Sequence, residues 1–179
     1  MKSFHQLFLD QLADAYDAEK QLTKALPKVA KAADDADLRN AIESHLDETE
    51  EQVRLLEMIL KIVPEPPESK KCQAMHGLLK EVEELIAEFK DSPAIDAAII
   101  AAAQKVEHYE IATYGTLLEW ANQLDMAEAA EVFEAILQQE KAADVRLTRL
   151  ACGSVNEAAE EESTELGESA GADSVRRVR

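Results

Sequence analysis

Four long segments of this chain space their apolar residues three and four positions apart, and each segment interrupts that apolar stripe with acidic residues. Such spacing is typical of an amphipathic α-helix whose apolar face is buried. In the last segment, Glu140 and Asp144 lie about 20° on either side of the stripe's centre at Phe133, counting 100° per residue. A fold that accommodates this chain must therefore place carboxylates between its helices.

Capping and breaking residues divide the chain into five predicted helices. Ser3 is the predicted N-cap of the first, and Pro27 is expected to kink that helix or to end its regular part. Ser92 and Pro93 predict the start of the fourth helix, and Gly153 the end of the fifth. The predicted ranges are 3–33, 36–63, 69–90, 93–123 and 126–151.

No segment shows the strict apolar–polar alternation of a β-strand, so the fold class is all-α. Four long helices, with the short third helix between the two pairs, predict an up-down four-helix bundle with one crossover that carries the extra helix. We expect the bundle to occupy residues 1–154. Residues 155–179 form an acidic and then basic C-terminal tail, with room for a short helix at 156–162 and a flexible, frayed stretch at 167–179.

Composition excludes several classes of function. The formal net charge is −18, which opposes binding to nucleic acid or to an anionic membrane surface. No apolar run approaches the length of a membrane span, and the first ten residues lack the pattern of a secretory signal. Cys72 and Cys152 have no metal-ribbon spacing and are expected to be free thiols in a reducing, cytoplasmic setting.

The other three long segments repeat the placement of acids on an apolar face. Burying an unpaired carboxylate costs several kcal/mol, and the inner stripes carry almost no Lys or Arg to neutralise it. A bound metal ion is the most economical explanation. The residues concerned are Glu19 in the first helix, His45, Glu48 and Gln52 in the second, and Glu107 and Glu110 in the fourth.

The two helix pairs also look duplicated. In each pair, an acid of the first helix (Glu19, Glu107) is followed about thirty residues later by an acid of the second (Glu48, Glu140). The segment QVRL (52–55) then matches DVRL (144–147) in its position after the second acid. Two such pairs predict a pseudo-symmetric dinuclear site.

The arrangement resembles that of ferritin-like di-iron carboxylate proteins, and more closely the YciF/YciE group of bacterial ferritin-like stress proteins. The resemblance covers about residues 3–153 and implies a five-helix ferritin-like fold, a homodimer, a di-iron site and a role in the stress response. The motifs that carry it are DAYDAEKQ (14–21), ALP (25–27), HLDET (45–49), CQAMHG (72–77), EHYEIATYG (107–115) and EKAAD (140–144).

The chain departs from the ferritin-like pattern at the two expected histidines. Three residues after Glu48 and Glu140 stand Glu51 and Ala143, while His45 precedes Glu48 and Asp144 can replace the other imidazole. This oxygen-rich set favours iron, with manganese as the alternative. The resemblance implies Glu48 and Glu140 as bridging ligands and Glu19 and Glu107 as terminal ligands, with His45, Glu110 and Asp144 completing the set.

Residues near these acids have more ordinary interpretations. Tyr16 and Tyr114 are expected to be core aromatics with a hydroxyl partner, although either could orient a carboxylate or relay an electron. Gln52 is expected to support a ligand, and His108 to lie at the surface or a subunit contact. Glu51, Glu131, Lys141 and Arg146 are expected to point away from the core.

Three functions remain open from the sequence. The first is a redox enzyme or ferroxidase whose di-iron or di-manganese centre reacts with oxygen or peroxide. The second is a non-catalytic stress-response or assembly module that keeps the fold. The third is an acidic helical interaction protein whose inner acids share protons with one another.

Overall fold

The computed structural model describes residues 2–65 and 67–165, and the regular secondary structure in these ranges is entirely helical. The predicted all-α class is confirmed. The helices are α1 (Phe4–Ala32), α2 (Ala36–Ile62), α3 (Gln73–Phe89), α4 (Ile95–Gln123) and α5 (Ala127–Leu150). Four of them are long, and α3 is the short fifth.

The four long helices form a bundle with one crossover, as predicted. Short loops join α1 to α2 and α4 to α5 as antiparallel pairs, and contacts of α1 with α4 and of α2 with α5 close the ring. Phe4 stacks edge-on against Trp120 while the Asp34 amide donates to Asp96, so α1 and α4 are antiparallel. Because α2 and α4 then run in the same direction, the connection between them spans the bundle, and its α3 packs on α4 and α1.

The start of α1 follows its local signals. Ser3 caps the helix with a reciprocal capping box, in which the Ser3 hydroxyl accepts from the Gln6 amide and the Gln6 side chain accepts from the Ser3 amide. Pro27 does not end the helix, which continues to Ala32.

The starts of two helices differ from their predicted positions. The fourth helix was predicted to start at Pro93, but the Ile95 amide donates to the Ser92 carbonyl in a separate turn, and α4 begins at Ile95. The third begins at Gln73 because the Cys72 sulfur accepts from the Met75 amide as its cap.

The α-helix α5 ends at Leu150, next to the predicted end at 151, and the predicted short helix at 156–162 is confirmed, but helical structure does not stop at Gly153. The chain passes through one wider, π-type turn at Ala151–Val155 and stays helical over 156–165, and Val155 is buried against the core. The predicted frayed stretch at 167–179 lies outside the described residues, and the division of the chain at 154 stays a prediction.

The core consists of two apolar halves with a polar layer between them. One half joins the first halves of α1 and α5 to the second halves of α2 and α4, and the other joins the opposite ends of these helices with α3. Between the two halves, every long helix contributes buried polar side chains at mid-length. The buried polar residues are Glu19, His45, Thr49, Gln52, Glu107, Glu110 and Glu140.

None of the helices within the described ranges is both long enough and apolar enough to cross a membrane.

The turn between α1 and α2 is tied to the start of α4 by one side chain. The Asp96 carboxylate accepts from the backbone amides of Asp34 and Asp35 at 2.9 and 2.8 Å. We expect Asp96→Ala to lower the free energy of unfolding by about 1–2 kcal/mol, because two charge-assisted hydrogen bonds are lost. Thermal melts should show a Tm lower by roughly 2–8 °C.

Asp91→Ala is the matched control for Asp96→Ala. The Asp91 side chain is 87% exposed, and its ion pair with Lys90 spans 3.8 Å, so its removal should leave Tm nearly unchanged. Equal melting of the two variants would contradict the anchoring role of Asp96.

Candidate metal centre

The polar layer is built from residues that sit on the buried stripes of the helices and would otherwise be apolar. His45 lies on the face of α2 that buries Ile42 and Leu56, and Glu140 on the face of α5 that buries Ile136 and Leu147. Since the four helices are in register at mid-length, these side chains meet inside the bundle and are shielded from water by the apolar halves above and below.

Four residues form the centre of the layer. Ligand atoms of His45, Glu107, Glu110 and Glu140 all lie within 4.8 Å of one another. The His45 Nε2 atom is 3.5 Å from Glu107 Oε1 and 3.9 Å from Glu140 Oε2. These distances suit attraction between charges and are too long for hydrogen bonds.

Two carboxylates of the layer are held by matching donors from opposite helices. The Tyr114 hydroxyl donates to Glu19 Oε1 across the α1–α4 contact. The Gln52 amide donates to Glu140 Oε1 at 2.5 Å across the α2–α5 contact, and its second hydrogen goes to Gln139 Oε1 at 3.1 Å. Each helix pair therefore has one oriented carboxylate, although Glu19 and Glu140 are not the equivalent positions of the duplication in the sequence.

Two of the seven predicted ligands lie at the edge of the layer. The Glu48 side chain is 30% exposed, with Oε2 3.7 Å from His45 Nδ1, and the Asp144 side chain is 21% exposed. Asp144 Oδ1 accepts from Gln104 Nε2 at 3.1 Å and lies 3.6 Å from His108 Nε2. The His108 side chain is 67% exposed. The structure thus brings five of the seven into the buried layer and leaves these two beside it.

Burial and mutual repulsion keep protons on the acids. Burial raises the pKa of Glu19 to about 7, and the Glu140 charge adds to the shift. The pKa of Glu107 rises to about 8 for the same reasons. Burial also raises the pKa of Glu110 and of Glu140, and the charge of His45 opposes the shift for Glu140.

The acids of the layer raise one another's pKa in two neighbouring pairs. Besides burial, the charge of Glu19 raises the pKa of Glu110, and the charge of Glu140 raises the pKa of Glu107. Proton sharing within such pairs is what the third sequence interpretation proposes, and it stays a prediction.

His45 is the basic member of the layer. Burial alone would lower the pKa of His45, but the carboxylates of Glu48, Glu107 and Glu140 outweigh burial and raise it to about 9. The interaction with His45 in turn lowers the pKa of Glu48.

The layer has unused ligand atoms that fit a metal ion. Eight buried side-chain nitrogen and oxygen atoms in the described ranges have no hydrogen-bond partner, and all eight belong to this layer. They include both nitrogens of His45 and both oxygens of Glu110. Because unsatisfied buried polar atoms are rare in native proteins, this concentration indicates a site made for a ligand. The buried His and Glu residues could hold a metal ion, and carboxylates with one imidazole suit iron or manganese.

Neighbouring residues show where sequence reasoning succeeded. Glu51 is exposed and pairs with Arg54 at 2.6 Å, and His108 lies at the surface, both as expected. Gln52 supports a candidate ligand, as expected. Tyr16, whose hydroxyl was expected to find a partner, donates to Glu57 at 2.8 Å.

Sequence reasoning placed one residue wrongly and missed two details. Arg146 was predicted to point away from the core but is half-buried and lines a cavity beside His45, since the aliphatic part of an arginine side chain can pack along apolar surface. That Tyr114 reaches Glu19 on α1, and that Gln139 fixes the Gln52 amide, depend on contacts between helices that no spacing within one helix reveals.

Comparison with known proteins places these features in a family. Protein YciF of Escherichia coli (strain K12) is 44% identical over 161 residues, which cover 89% of this chain and 97% of YciF. The crystal structure of the E. coli stress protein YciF matches with a TM-score of 0.83 over 87% of this chain and 99% of that one.

Two further structures agree with this fold. YcfI of Rhodopseudomonas palustris, described provisionally as a structural protein, is 41% identical with a TM-score of 0.78 over 83% of this chain and 94% of its own. A Xanthomonas campestris protein at 22% identity has a TM-score of 0.70, covers 90% of this chain and 99% of its own, and supports the fold alone. Residues 3–160 match the model of a domain of unknown function, DUF892, and the chain belongs to that family of YciF-like helical-bundle proteins.

Proposed function

We propose that this chain is a ferritin-like stress-response protein whose buried polar layer binds a dinuclear iron centre, with manganese as the alternative metal, and that this centre reacts with oxygen or peroxide. The observation that carries the proposal is that the described residues contain eight buried polar atoms without hydrogen-bond partners, all in one layer, and seven of them belong to proposed ligands. The stress role comes from the similarity to YciF, which is described as a stress protein.

The residues that would hold the metal divide into two groups. His45, Glu107, Glu110 and Glu140 already lie within 4.8 Å of one another, and Glu19 adjoins Glu110. Glu48, predicted as a bridging ligand, and Asp144 lie at the edge of the layer and are the proposed outer ligands, since Glu48 is 3.7 Å from His45 and both side chains are partly buried. Bound iron would supply a redox couple and a Lewis acid in a site that the apolar halves shield from water.

The chain's own groups prepare the layer for a cation. Tyr114 and Gln52 hold one oxygen each of Glu19 and Glu140, so the second oxygen of each carboxylate remains free for a ligand bond. The raised pKa of Glu107 and of Glu110 favours their protonated forms, and a cation requires the charged forms, so metal binding is expected to release protons.

A second function is supported by one comparison. The provisional description of YcfI as a structural protein favours a module that keeps the fold and its acids without turnover. Consumption of peroxide or oxygen by the iron-loaded protein separates the two functions. Equal consumption by loaded and metal-stripped protein would favour the structural module.

The variant Glu107→Gln tests metal binding separately from folding. A glutamine has nearly the same shape as glutamate and no charge to bury or to repel Glu140, so we expect the Tm of the metal-free variant at pH 7.5 to equal or exceed that of the wild type. Loss of a charged ligand should weaken Fe²⁺ binding roughly tenfold or more. Anaerobic Fe²⁺ titration followed by metal analysis provides the measurement.

Glu119→Gln is the matched control on the same helix. Glu119 is exposed, so this change removes the same charge from α4 without touching the layer and should leave both Tm and Fe²⁺ binding as in the wild type. Undiminished Fe²⁺ affinity and stoichiometry in Glu107→Gln would refute the proposed centre.

Bound metal should oppose the loss of stability that the metal-free protein shows as the pH rises. Glu19, Glu107 and His45 have a folded-state pKa of about 7, 8 and 9, each above its ordinary value. Their contribution to stability is therefore complete at acidic pH and is lost as the pH rises through this range. We expect the metal-free protein to melt at lower temperature at pH 8.5 than at pH 6.

Fe²⁺ or Mn²⁺ requires deprotonated ligands, so the gain in Tm on adding metal anaerobically should be larger at pH 8.5 than at pH 6. Melting curves at both pH values, with and without metal, measure the two effects. A gain in Tm that is absent, or that is larger at pH 6, would favour proton sharing as the permanent state of the layer.

A further inference from the structure

A small cavity lies beside the polar layer. His45 and Glu107 form part of its wall, and its volume is about 40 Å³. Fifteen residues line it, and twelve of them have aliphatic side chains or are alanines. The exceptions are His45, Glu107 and Arg146, so the cavity joins an apolar chamber to two candidate metal ligands.

The cavity arises from the way the two halves of the core are filled. Phe8, Tyr114 and Phe133 fill the half that lies toward the start of α1 with large, fully buried rings. The other half is filled mainly with aliphatic side chains, and four of the residues around the cavity are alanines: Ala25, Ala41, Ala103 and Ala143. Where alanines from different helices face one another, the side chains are too short to close the space.

The size and wall of the cavity limit what can occupy it. A volume of about 10–15 Å³ on the same measure holds one water, so this cavity has room for a molecule with a few heavy atoms. Water and hydrogen peroxide need several hydrogen-bond partners, which the twelve aliphatic and alanine residues do not provide, so polar molecules find partners only at the edge formed by His45, Glu107 and Arg146. A small apolar molecule loses nothing on leaving water and gains dispersion contacts with the wall.

We infer that this cavity is a binding site for a small apolar molecule of the size of dioxygen, held against His45 and Glu107. The aliphatic part of the wall disfavours hydrogen peroxide. This use of the cavity rests on the proposed function, and it selects dioxygen as the oxidant that reaches the layer through the aliphatic half of the core. Ala25, Leu79 and Arg146 are half-buried, so at these residues the wall comes close to solvent.

Gas binding can be measured on the metal-free protein. Dioxygen is paramagnetic, so methyl relaxation in NMR spectra under dioxygen pressure, compared with dinitrogen, reports where it resides. We expect the methyl groups of Leu26, Val106 and Leu147 to relax roughly twofold or more faster than those of Leu12 and Leu56 in the other half of the core. Equal relaxation in the two halves would overturn the inference.

Two variants change the cavity in opposite directions. Ala103→Leu fills it and should abolish the enhanced relaxation, while Leu26→Ala enlarges it and should strengthen binding of dioxygen or of xenon as a second probe. Ala112→Leu adds the same atoms at an exposed position of α4 and should behave as the wild type. If Ala103→Leu fails to fold, Leu26→Ala still tests whether the cavity binds gas, because weaker gas binding in that variant would contradict the assignment.

The iron-loaded protein tests the selectivity. When dioxygen is the oxidant, two Fe²⁺ supply two electrons and solvent supplies two protons, giving hydrogen peroxide. We expect Ala103→Leu to slow Fe²⁺ oxidation by dioxygen roughly tenfold and to change oxidation by added peroxide little, because peroxide does not use the aliphatic chamber. Equal slowing with both oxidants would contradict the selectivity.

The two proposals can fail independently. If Fe²⁺ does not bind but dioxygen relaxes the cavity methyls, the cavity assignment stands and the metal centre is wrong. If Fe²⁺ binds and no gas is detected in the cavity, the metal centre stands and the cavity assignment is wrong.

Discussion

The structure is organised around the burial of four carboxylates and one imidazole at the middle of a helical bundle. Several like charges in a medium of low polarity repel one another strongly, and each loses the solvation that water provides. The raised pKa values of Glu107 and Glu110 favour their neutral forms and that of His45 favours its charged form, which reduces this cost. The apolar halves on either side then supply most of the driving force for folding, and they do so while enclosing the layer.

The layer has an approximate symmetry in which Glu19 on α1 corresponds to Glu107 on α4. Each antiparallel helix pair also provides one carboxylate fixed by a neutral donor, Glu19 by Tyr114 and Glu140 by Gln52, but these two acids are not equivalent positions. The symmetry is broken by His45, which has no imidazole counterpart on α5. It is broken again in the packing, since aromatic rings fill one half of the core and alanines leave a cavity in the other. The imidazole and the cavity lie on the same side of the layer, so His45 is part of the cavity wall.

A protein selected for stability alone would not keep such a layer, because well-packed apolar residues at the same positions would be at least as stable. The raised pKa values of the acids show that the metal-free layer carries a cost at neutral and basic pH. Perturbed titratable groups that converge in one place are typical of functional sites. This cost is the physical reason for assigning the layer a ligand, and membership in the family of YciF-like proteins places the same fold around it.

The spacing of residues in the sequence determined the class of fold, the five helices and the acids that would face inward, because the position of a side chain on a helix depends only on its place in the chain. The buried residues Glu19, His45, Glu107, Glu110 and Glu140 were identifiable in this way. Their partners were not, since the meeting of Tyr114 with Glu19 or of Gln139 with Gln52 depends on how two helices pack. For the same reason, spacing could not separate the buried acids from Glu48 and Asp144 at the edge of the layer, nor reveal the cavity. The burial of a side chain and the position of a cavity depend on how all the helices pack together, so only the tertiary structure decides them.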